Sequence, residues 1–79
     1  MYFVYIIQSV NYPDKYYTGM TRRIGHRVRE HNRHAHEYSS RFKPWELRTY
    51  IAFDSKEKAA QFEKYLKTPS GRAFAKRRF

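Results

Sequence analysis

Residues 2–8, Tyr-Phe-Val-Tyr-Ile-Ile-Gln, decide the fold of this chain of 79 residues. Nearly all of them are β-branched or aromatic, and apolar side chains occupy both alternating faces of the stretch. This pattern is typical of a strand that is covered on both sides. We therefore predict a central strand with other elements packed against each of its faces.

The residues after this strand predict a hairpin and then a helix. Residues 9–15 are rich in turn formers, and residues 16–18, Tyr-Tyr-Thr, form the second predicted strand. Gly19 is predicted to end that strand. Thr21 is predicted to cap a helix that runs to about Asn32.

The second half of the chain predicts one more strand and two more helices. The strand covers about residues 46–53, where apolar side chains alternate along the chain. Ser55 is the predicted N-cap of a helix that runs to about Lys67, and residues 70–78 can form a short basic helix. A chain of this length has room for one domain, residues 1–79.

The charge of the chain predicts a polyanionic partner. Seventeen Lys and Arg residues against seven Asp and Glu residues give a net charge of +10. A membrane surface is not favoured, because no segment approaches the roughly 20 apolar residues of a spanning helix. Nucleic acid is the predicted partner, and an ordinary basic surface is the alternative. The N-terminal residues have the pattern of a strand rather than of a signal peptide, so a cytoplasmic location is expected.

The chain contains no cysteine, which excludes disulfides and thiolate metal sites. Any metal would be held by oxygen or imidazole ligands. His31, His34 and His36 crowd one segment, but acidic residues at the spacing of a catalytic zinc site are lacking. A histidine metal site is therefore a weak alternative.

Glu63 occupies an unusual position on the helix after Ser55. Ala59, Phe62 and Leu66 define the apolar stripe of that helix, and at about 100° per residue Glu63 lies within the stripe. A carboxylate that points into a protein must be paired or must bind a cation. Metal binding is the favoured interpretation. The alternative is an ion pair, with an arginine of the first helix or with a lysine one turn on.

Arg27 and His31 border the inward face of the first predicted helix. They are four residues apart, so their side chains are neighbours on one side of it. Arginine can hold a phosphate with paired N–H donors, and histidine can move a proton near neutral pH. Tyr5 and Tyr17 lie on strands that could bring them to the same cleft.

These residues occur in an order that resembles the GIY-YIG nuclease domain. The matching segments are Val4-Tyr5-Ile6, Tyr17-Thr18-Gly19, residues 27–32, residues 43–47 and residues 63–67. The resemblance covers nearly the whole chain and is closest to short, stand-alone bacterial members. Val4 and Thr18 depart from the tripeptides of the family name, and residues 77–79 occupy the region where larger members often have asparagine.

The resemblance implies an α+β fold in which a three-stranded antiparallel sheet is flanked by helices. It also implies that Glu63 binds one Mg²⁺ or Mn²⁺ at the scissile phosphate. Tyr5 would be the general base or a water-positioning hydroxyl, and Tyr17 would orient the water or the phosphate. Arg27 would stabilise the charge that develops on the phosphorus centre, and His31 would assist by hydrogen bonding or proton transfer.

The leading functional hypothesis is a metal-dependent endonuclease that hydrolyses DNA phosphodiester bonds. Branched and single-stranded DNA are open as substrates, and RNA is an alternative partner. The predicted phosphate contacts are Arg22, Arg23, Lys43, Arg72, Lys76, Arg77 and Arg78. The first alternative is a nucleic-acid-binding accessory module that keeps the nuclease fold and cleaves little or not at all. The second is a basic ribosome- or RNA-associated structural protein, with no cleft and no metal.

Overall fold

The computed structural model describes residues 1–33 and 40–79 of the chain. The elements in these ranges are β1 (Tyr2–Ser9), β2 (Tyr16–Thr21), α1 (Ile24–Arg33), β3 (Trp45–Phe53), α2 (Lys56–Leu66) and α3 (Pro69–Arg78). The strands form one antiparallel sheet in the order β2-β1-β3. This is the predicted α+β fold with β1 at the centre.

Strand β1 is covered on both faces, which confirms the prediction from its apolar pattern. Val4 and Ile6 pack against α2 and α3 on one face of the sheet. Tyr5 and Ile7 point to the other face, which is covered by α1 and Trp45. These four side chains of β1 are between 0% and 7% exposed. The strand thus separates two small cores, and its alternation decides which side chains meet α1.

Strand β2 begins at Tyr16 as predicted but ends later, and helix α1 begins later than predicted. The strand continues through Gly19 to Thr21, because Thr21 still pairs with Phe3 of β1. The backbone ladder therefore outweighs the local tendency of glycine to end a strand. Thr21 accepts a hydrogen bond from the Arg23 backbone N–H at 3.1 Å, within the turn that precedes Ile24. The predicted cap at Thr21 is wrong, since it stabilises this turn and not the first turn of the helix.

A side-chain clamp attaches the end of α1 to the start of β3. The Asn32 amide donates to the Trp45 carbonyl at 3.0 Å, and the Trp45 backbone N–H donates to the Asn32 side-chain oxygen. Both partners are partly or fully shielded from water, so this paired contact is protected. It holds α1 against the sheet. Among the described residues, no helix has the length and apolar character needed to cross a bilayer.

Helices α2 and α3 follow one another with a cap at each start. Ser55 accepts from the Lys58 backbone N–H at 3.3 Å, as predicted, and Thr68 accepts from the Gly71 backbone N–H at 3.0 Å. The two helices meet closely at Gly71. A Cβ atom on Gly71 would lie 1.8 Å from the Tyr65 carbonyl oxygen, so no side chain fits at this contact.

We expect Gly71→Ala to destabilise the protein strongly, because the added methyl group meets backbone that cannot move without separating α2 from α3. Overpacking of this kind costs roughly 1–3 kcal/mol or more. The matched control is Gly25→Ala in α1, where the nearest atom would be Arg29 Nη1 at 3.6 Å. That change should be neutral or stabilise by up to about 1 kcal/mol. Urea unfolding followed by circular dichroism measures both, and equal effects would contradict the close contact at Gly71.

Candidate active site

The ring of Tyr5 lies across the backbone of Gly19 in the neighbouring strand β2. The two residues are register partners, and a Cβ atom on Gly19 would lie 2.5 Å from the Tyr5 hydroxyl oxygen. Only glycine leaves room for the hydroxyl at this place. Sequence reasoning took Gly19 as the end of a strand and missed this role. A glycine inside a strand can indicate the close approach of another group, and that signal was available.

The hydroxyl of Tyr5 binds two side chains of α1. It shares a hydrogen bond of 2.8 Å with Nε2 of His31, and Nε of Arg27 donates to it at 3.3 Å. Tyr5 is 1% exposed and His31 is 0% exposed. Because the two α1 residues are four positions apart, both reach the same hydroxyl from one side of the helix. The structure thus brings together three of the predicted site residues.

Tyr17 completes an aromatic cluster with these residues. Its ring centroid lies 4.7 Å from that of His31 and 6.4 Å from that of Tyr5. The Tyr5 and His31 centroids are 5.9 Å apart. All four residues predicted on β1, β2 and α1 therefore occupy one region of the sheet face that α1 covers.

Glu30 holds Arg27 in place and was missed by sequence reasoning. Its carboxylate accepts from Nη1 of Arg27 at 3.1 Å, and His26 lies 3.6 Å from the other carboxylate oxygen. Burial of the guanidinium opposes its charge, but the hydrogen bonds to Tyr5 and Glu30 outweigh burial and the pKa of Arg27 is raised. Arg27 is therefore a permanent cation beside the Tyr5 hydroxyl. The spacing of three positions between Arg27 and Glu30 is the signal that could have found this pair.

Burial raises the pKa of Tyr5 above the ordinary value of a tyrosine. The hydrogen bond and the positive charge of Arg27 act in the opposite direction, whereas the charges of Tyr17 and Glu63 add to the effect of burial. The phenol therefore stays protonated at neutral pH. A buried, neutral hydroxyl can donate one hydrogen bond and accept two.

Glu63 lies on α2, at the border between the core and solvent. Its side chain is 24% exposed, and Lys67 donates to its Oε2 at 3.0 Å. The ion pair with a lysine one turn on is therefore formed, as the alternative interpretation proposed. The carboxylate also acts on the hydroxyl of Tyr5, since its negative charge contributes to the raised pKa. This action fits the contact of α2 with β2, the strand over which the Tyr5 hydroxyl lies.

The donor set around Glu63 suits a cation that keeps part of its water shell. Within residues 1–33 and 40–79, no group of three or more His, Cys, Asp or Glu side chains could enclose a metal ion. Magnesium is often bound through one or two carboxylates together with water and substrate phosphate. Lys67 bonds one oxygen of Glu63, and a carboxylate has about four lone-pair sites. One partly exposed carboxylate thus fits Mg²⁺ or Mn²⁺ and does not fit a metal cage made of protein alone.

The predicted phosphate contacts lie in three places. Arg22 and Arg23 lie in the turn before α1, where the Arg22 guanidinium is 5.0 Å from the centre of the Tyr2 ring. Lys43 is exposed and donates to the Arg33 carbonyl at 3.0 Å, at the end of α1. The remaining four lie on α3: Arg72, Lys76, Arg77 and Arg78. His34 and His36 lie outside the described residues.

Comparison with known proteins identifies a family model. The model described as GIY-YIG catalytic domain matches residues 1–78, which includes every residue of the cluster around Tyr5 as well as Glu63. No curated protein and no solved structure matches the chain.

We expect the Tyr5 phenol to titrate above the ordinary tyrosine pKa of about 10, as measured by NMR of ¹³Cζ-labelled tyrosine. Glu63→Gln should lower the pKa of Tyr5, because it removes a negative charge that opposes the phenolate. Arg27→Gln should raise it, because a hydrogen bond and a positive charge are removed. Glu57→Gln, an exposed position in the first turn of α2, is the matched control and should leave it unchanged. The same response to both glutamate changes would contradict the assignment of Glu63.

Proposed function

The chain belongs to the GIY-YIG family of nucleases, and from this premise we propose that it is a divalent-metal-dependent endonuclease that hydrolyses DNA phosphodiester bonds. One observation carries the proposal. A buried hydroxyl, that of Tyr5, is bonded to Arg27 and His31 and also lies within the field of Glu63. These groups are of the kind that phosphoryl chemistry needs: a cation for the phosphate oxygens, a path for a proton and a carboxylate for a metal ion.

Arg27 is the group that we assign to the phosphate. Its guanidinium carries five N–H donors, and its bonds to Tyr5 and Glu30 use Nε and Nη1. The remaining donors are available for the non-bridging oxygens of a substrate. Because the pKa of Arg27 is raised, its charge persists at every working pH. A fixed cation of this kind stabilises the charge that develops during attack on phosphorus.

Tyr5 and His31 form the path that we assign to the proton. The attacking water gives a proton to the Tyr5 oxygen while the phenol proton moves to Nε2 of His31 along their hydrogen bond of 2.8 Å. The oxygen has a second acceptor site for this water, since Arg27 occupies the first. No free phenolate forms in this relay, which agrees with the raised pKa of Tyr5. The Tyr5 hydroxyl positions the attacking water and relays its proton. Tyr17 orients the water or the phosphate beside it.

Glu63 is the residue that we assign to the metal ion. A bound Mg²⁺ or Mn²⁺ supplies Lewis-acid polarisation of the phosphate and stabilises the leaving oxygen. We assign Glu63 to hold the ion from α2, where Lys67 donates to Oε2 of its carboxylate. The side chain is partly buried, which strengthens its charge interactions relative to a fully exposed carboxylate.

DNA is the substrate that we propose. Nucleases of this family act on DNA, and the net charge of +10 favours a polyanion. Arg22 and Arg23 precede the helix that carries Arg27, so they suit contacts to phosphates next to the cleaved one. Duplex, branched and single-stranded forms, and RNA, are distinguished by the first experiment below.

We expect Glu63→Gln to lower Mg²⁺-dependent nicking of DNA by about 100-fold or more, because the carboxylate that holds the metal is removed. Binding of the same DNA in EDTA should be retained. Nicking of duplex, branched and single-stranded DNA, and of RNA, is measured with Mg²⁺ and with EDTA. Glu57→Gln is the matched control and should cleave like the wild type.

The same assay decides between the enzyme and the accessory module. A wild-type protein that binds these substrates but nicks none of them in Mg²⁺ or Mn²⁺ is the accessory module. Equal nicking by Glu63→Gln and Glu57→Gln would exclude Glu63 as the metal ligand. Residual nicking in EDTA would contradict the metal dependence.

We expect Tyr5→Phe to reduce the cleavage rate by about 10²-fold or more, since it removes the hydroxyl of the relay and keeps the ring. From neutral pH to about pH 9, the pH–rate profiles of the wild type and the variant should be parallel, because the pKa of Tyr5 lies above this range. Tyr50→Phe is the matched control, an exposed tyrosine that pairs with Tyr5 across β1 and β3. A wild-type rate that rises about tenfold per pH unit, with a flat profile for the variant, would identify Tyr5 as a phenolate base instead.

A further inference from the structure

A cleft lies between α2 and α3, outside the cluster around Tyr5. Its volume is about 230 Å³. The residues that line it are Tyr65, Ser70, Ala73, Phe74, Arg77 and Arg78. The cleft thus has an aromatic wall, small residues in the middle and two arginines. The proposed reaction uses none of these six residues.

The aromatic wall of the cleft is accessible to solvent. Tyr65 is 41% exposed, and its ring is stacked edge to face on Phe74 with a centroid distance of 6.1 Å. Phe79 is 48% exposed, and its ring centroid lies 5.6 Å from that of Phe74. Neighbouring rings limit the motion of Tyr65, so its accessible face is presented in a fixed orientation. A fixed aromatic face is a stacking surface for a nucleobase.

The basic rim of the cleft is formed by the last turn of α3. Lys76, Arg77 and Arg78 are exposed there, and the first turn of the helix contains no acidic residue. In the part of the chain that the structure describes, no ion pair engages these three side chains. Arginine beside an aromatic face can bind the phosphate of a nucleotide while its base stacks.

We propose that this cleft binds an unpaired nucleotide of single-stranded nucleic acid, with the base on Tyr65 and the flanking phosphates on Arg77 and Arg78. Single-stranded nucleic acid fits because its bases present their faces, whereas those of a duplex are covered by neighbouring base pairs. Charge favours this occupant over a second copy of the chain, since two copies would bring their arginines together. The proposal depends on the proposed function only in taking nucleic acid as the partner.

The cleft is a second site, on the other side of α2 from Glu63 and on the sheet face opposite to the Tyr5 cluster. Glu63 and Tyr65 are two positions apart, which places them about 200° apart around the helix. They flank the buried stripe of Ala59 and Leu66 on opposite sides. A helix with its side chains is about 10–12 Å across. The width of α2 therefore lies between the cleft and the Glu63 carboxylate.

The test measures binding of an oligothymidylate and of a duplex of the same length by fluorescence anisotropy in EDTA, which removes the divalent ion that the proposed cleavage needs. Tyr65→Leu should weaken single-strand binding by about 5- to 150-fold, the range of one stacked base, and should change duplex binding little. Tyr65→Phe, which keeps the ring, should bind like the wild type. Replacing successive thymidines by abasic sites should weaken binding by the wild type, because a base that stacks on Tyr65 is removed. The same replacement should leave binding by Tyr65→Leu unchanged, because this variant has no ring for the base to contact.

The arginines are tested by the pair Arg77→Gln/Arg78→Gln. This double variant should weaken single-strand binding and reduce the salt slope of log affinity by roughly 0.7 for each phosphate that the protein no longer neutralises. The charge-matched control is Lys56→Gln/Lys58→Gln, two exposed lysines at the other end of α2. It should lower the affinities for both oligonucleotides equally and modestly.

Equal loss of duplex and single-strand affinity in Tyr65→Leu would overturn the proposal, and so would additive losses from Tyr65→Leu and abasic sites. Concentration-dependent self-association that Tyr65→Leu abolishes without changing oligonucleotide affinity would assign the cleft to a second copy of the chain, and would also overturn it. The nicking activity of Tyr65→Leu on duplex DNA reports separately on the nuclease. Oligonucleotide binding therefore tests the cleft, and nicking of duplex DNA tests the proposed function, so the failure of one proposal can be told from the failure of the other.

Discussion

The hydroxyl of Tyr5 is the constraint on which the rest of the structure depends. It sits on a strand that is buried on both faces, and a buried hydroxyl without hydrogen bonds is costly. Two residues of α1 meet this requirement, and Gly19 gives the oxygen its space by having no side chain. The Asn32 clamp then keeps α1 at the distance that these bonds need. Packing, helix position and candidate chemistry thus follow from one polar atom in an apolar layer.

Much of the fold could be predicted because local signals agree with tertiary structure. The double-sided apolar pattern of residues 2–8 requires a covered central strand, and the cap at Ser55 acts within a single turn of the chain. The end of β2 and the start of α1, around Gly19 and Thr21, could not be predicted from local signals. Glycine and threonine carry local signals for a strand end and a helix cap, but pairing with β1 satisfies their backbone groups and extends the strand.

The sequence could predict which residues form the candidate site. It could not predict the interactions that set their pKa values. Helical spacing placed Arg27 next to His31, the predicted strands brought both tyrosines to the same cleft, and the resemblance to a known family added a role for each residue. Spacing within one element cannot show which groups surround the Tyr5 hydroxyl or that burial would outweigh Arg27 there. Those results depend on distances between elements, and pKa values respond to such distances steeply. The partner of Glu63 was open for the same reason, since Lys67 and a metal ion satisfy the same carboxylate.

The contact at Gly71 has a consequence for how α2 and α3 recognise other molecules. The helices touch through bare backbone at Gly71, so at this point no side-chain rotamer has to be rearranged. The spacing of the rings and guanidinium groups on their outer surface is then set before any partner arrives. Preorganised surfaces lose less conformational entropy on association than surfaces that must first be ordered. The absence of a side chain at Gly71 therefore favours binding at the outer surface of the two helices, because less conformational entropy is lost when a partner associates.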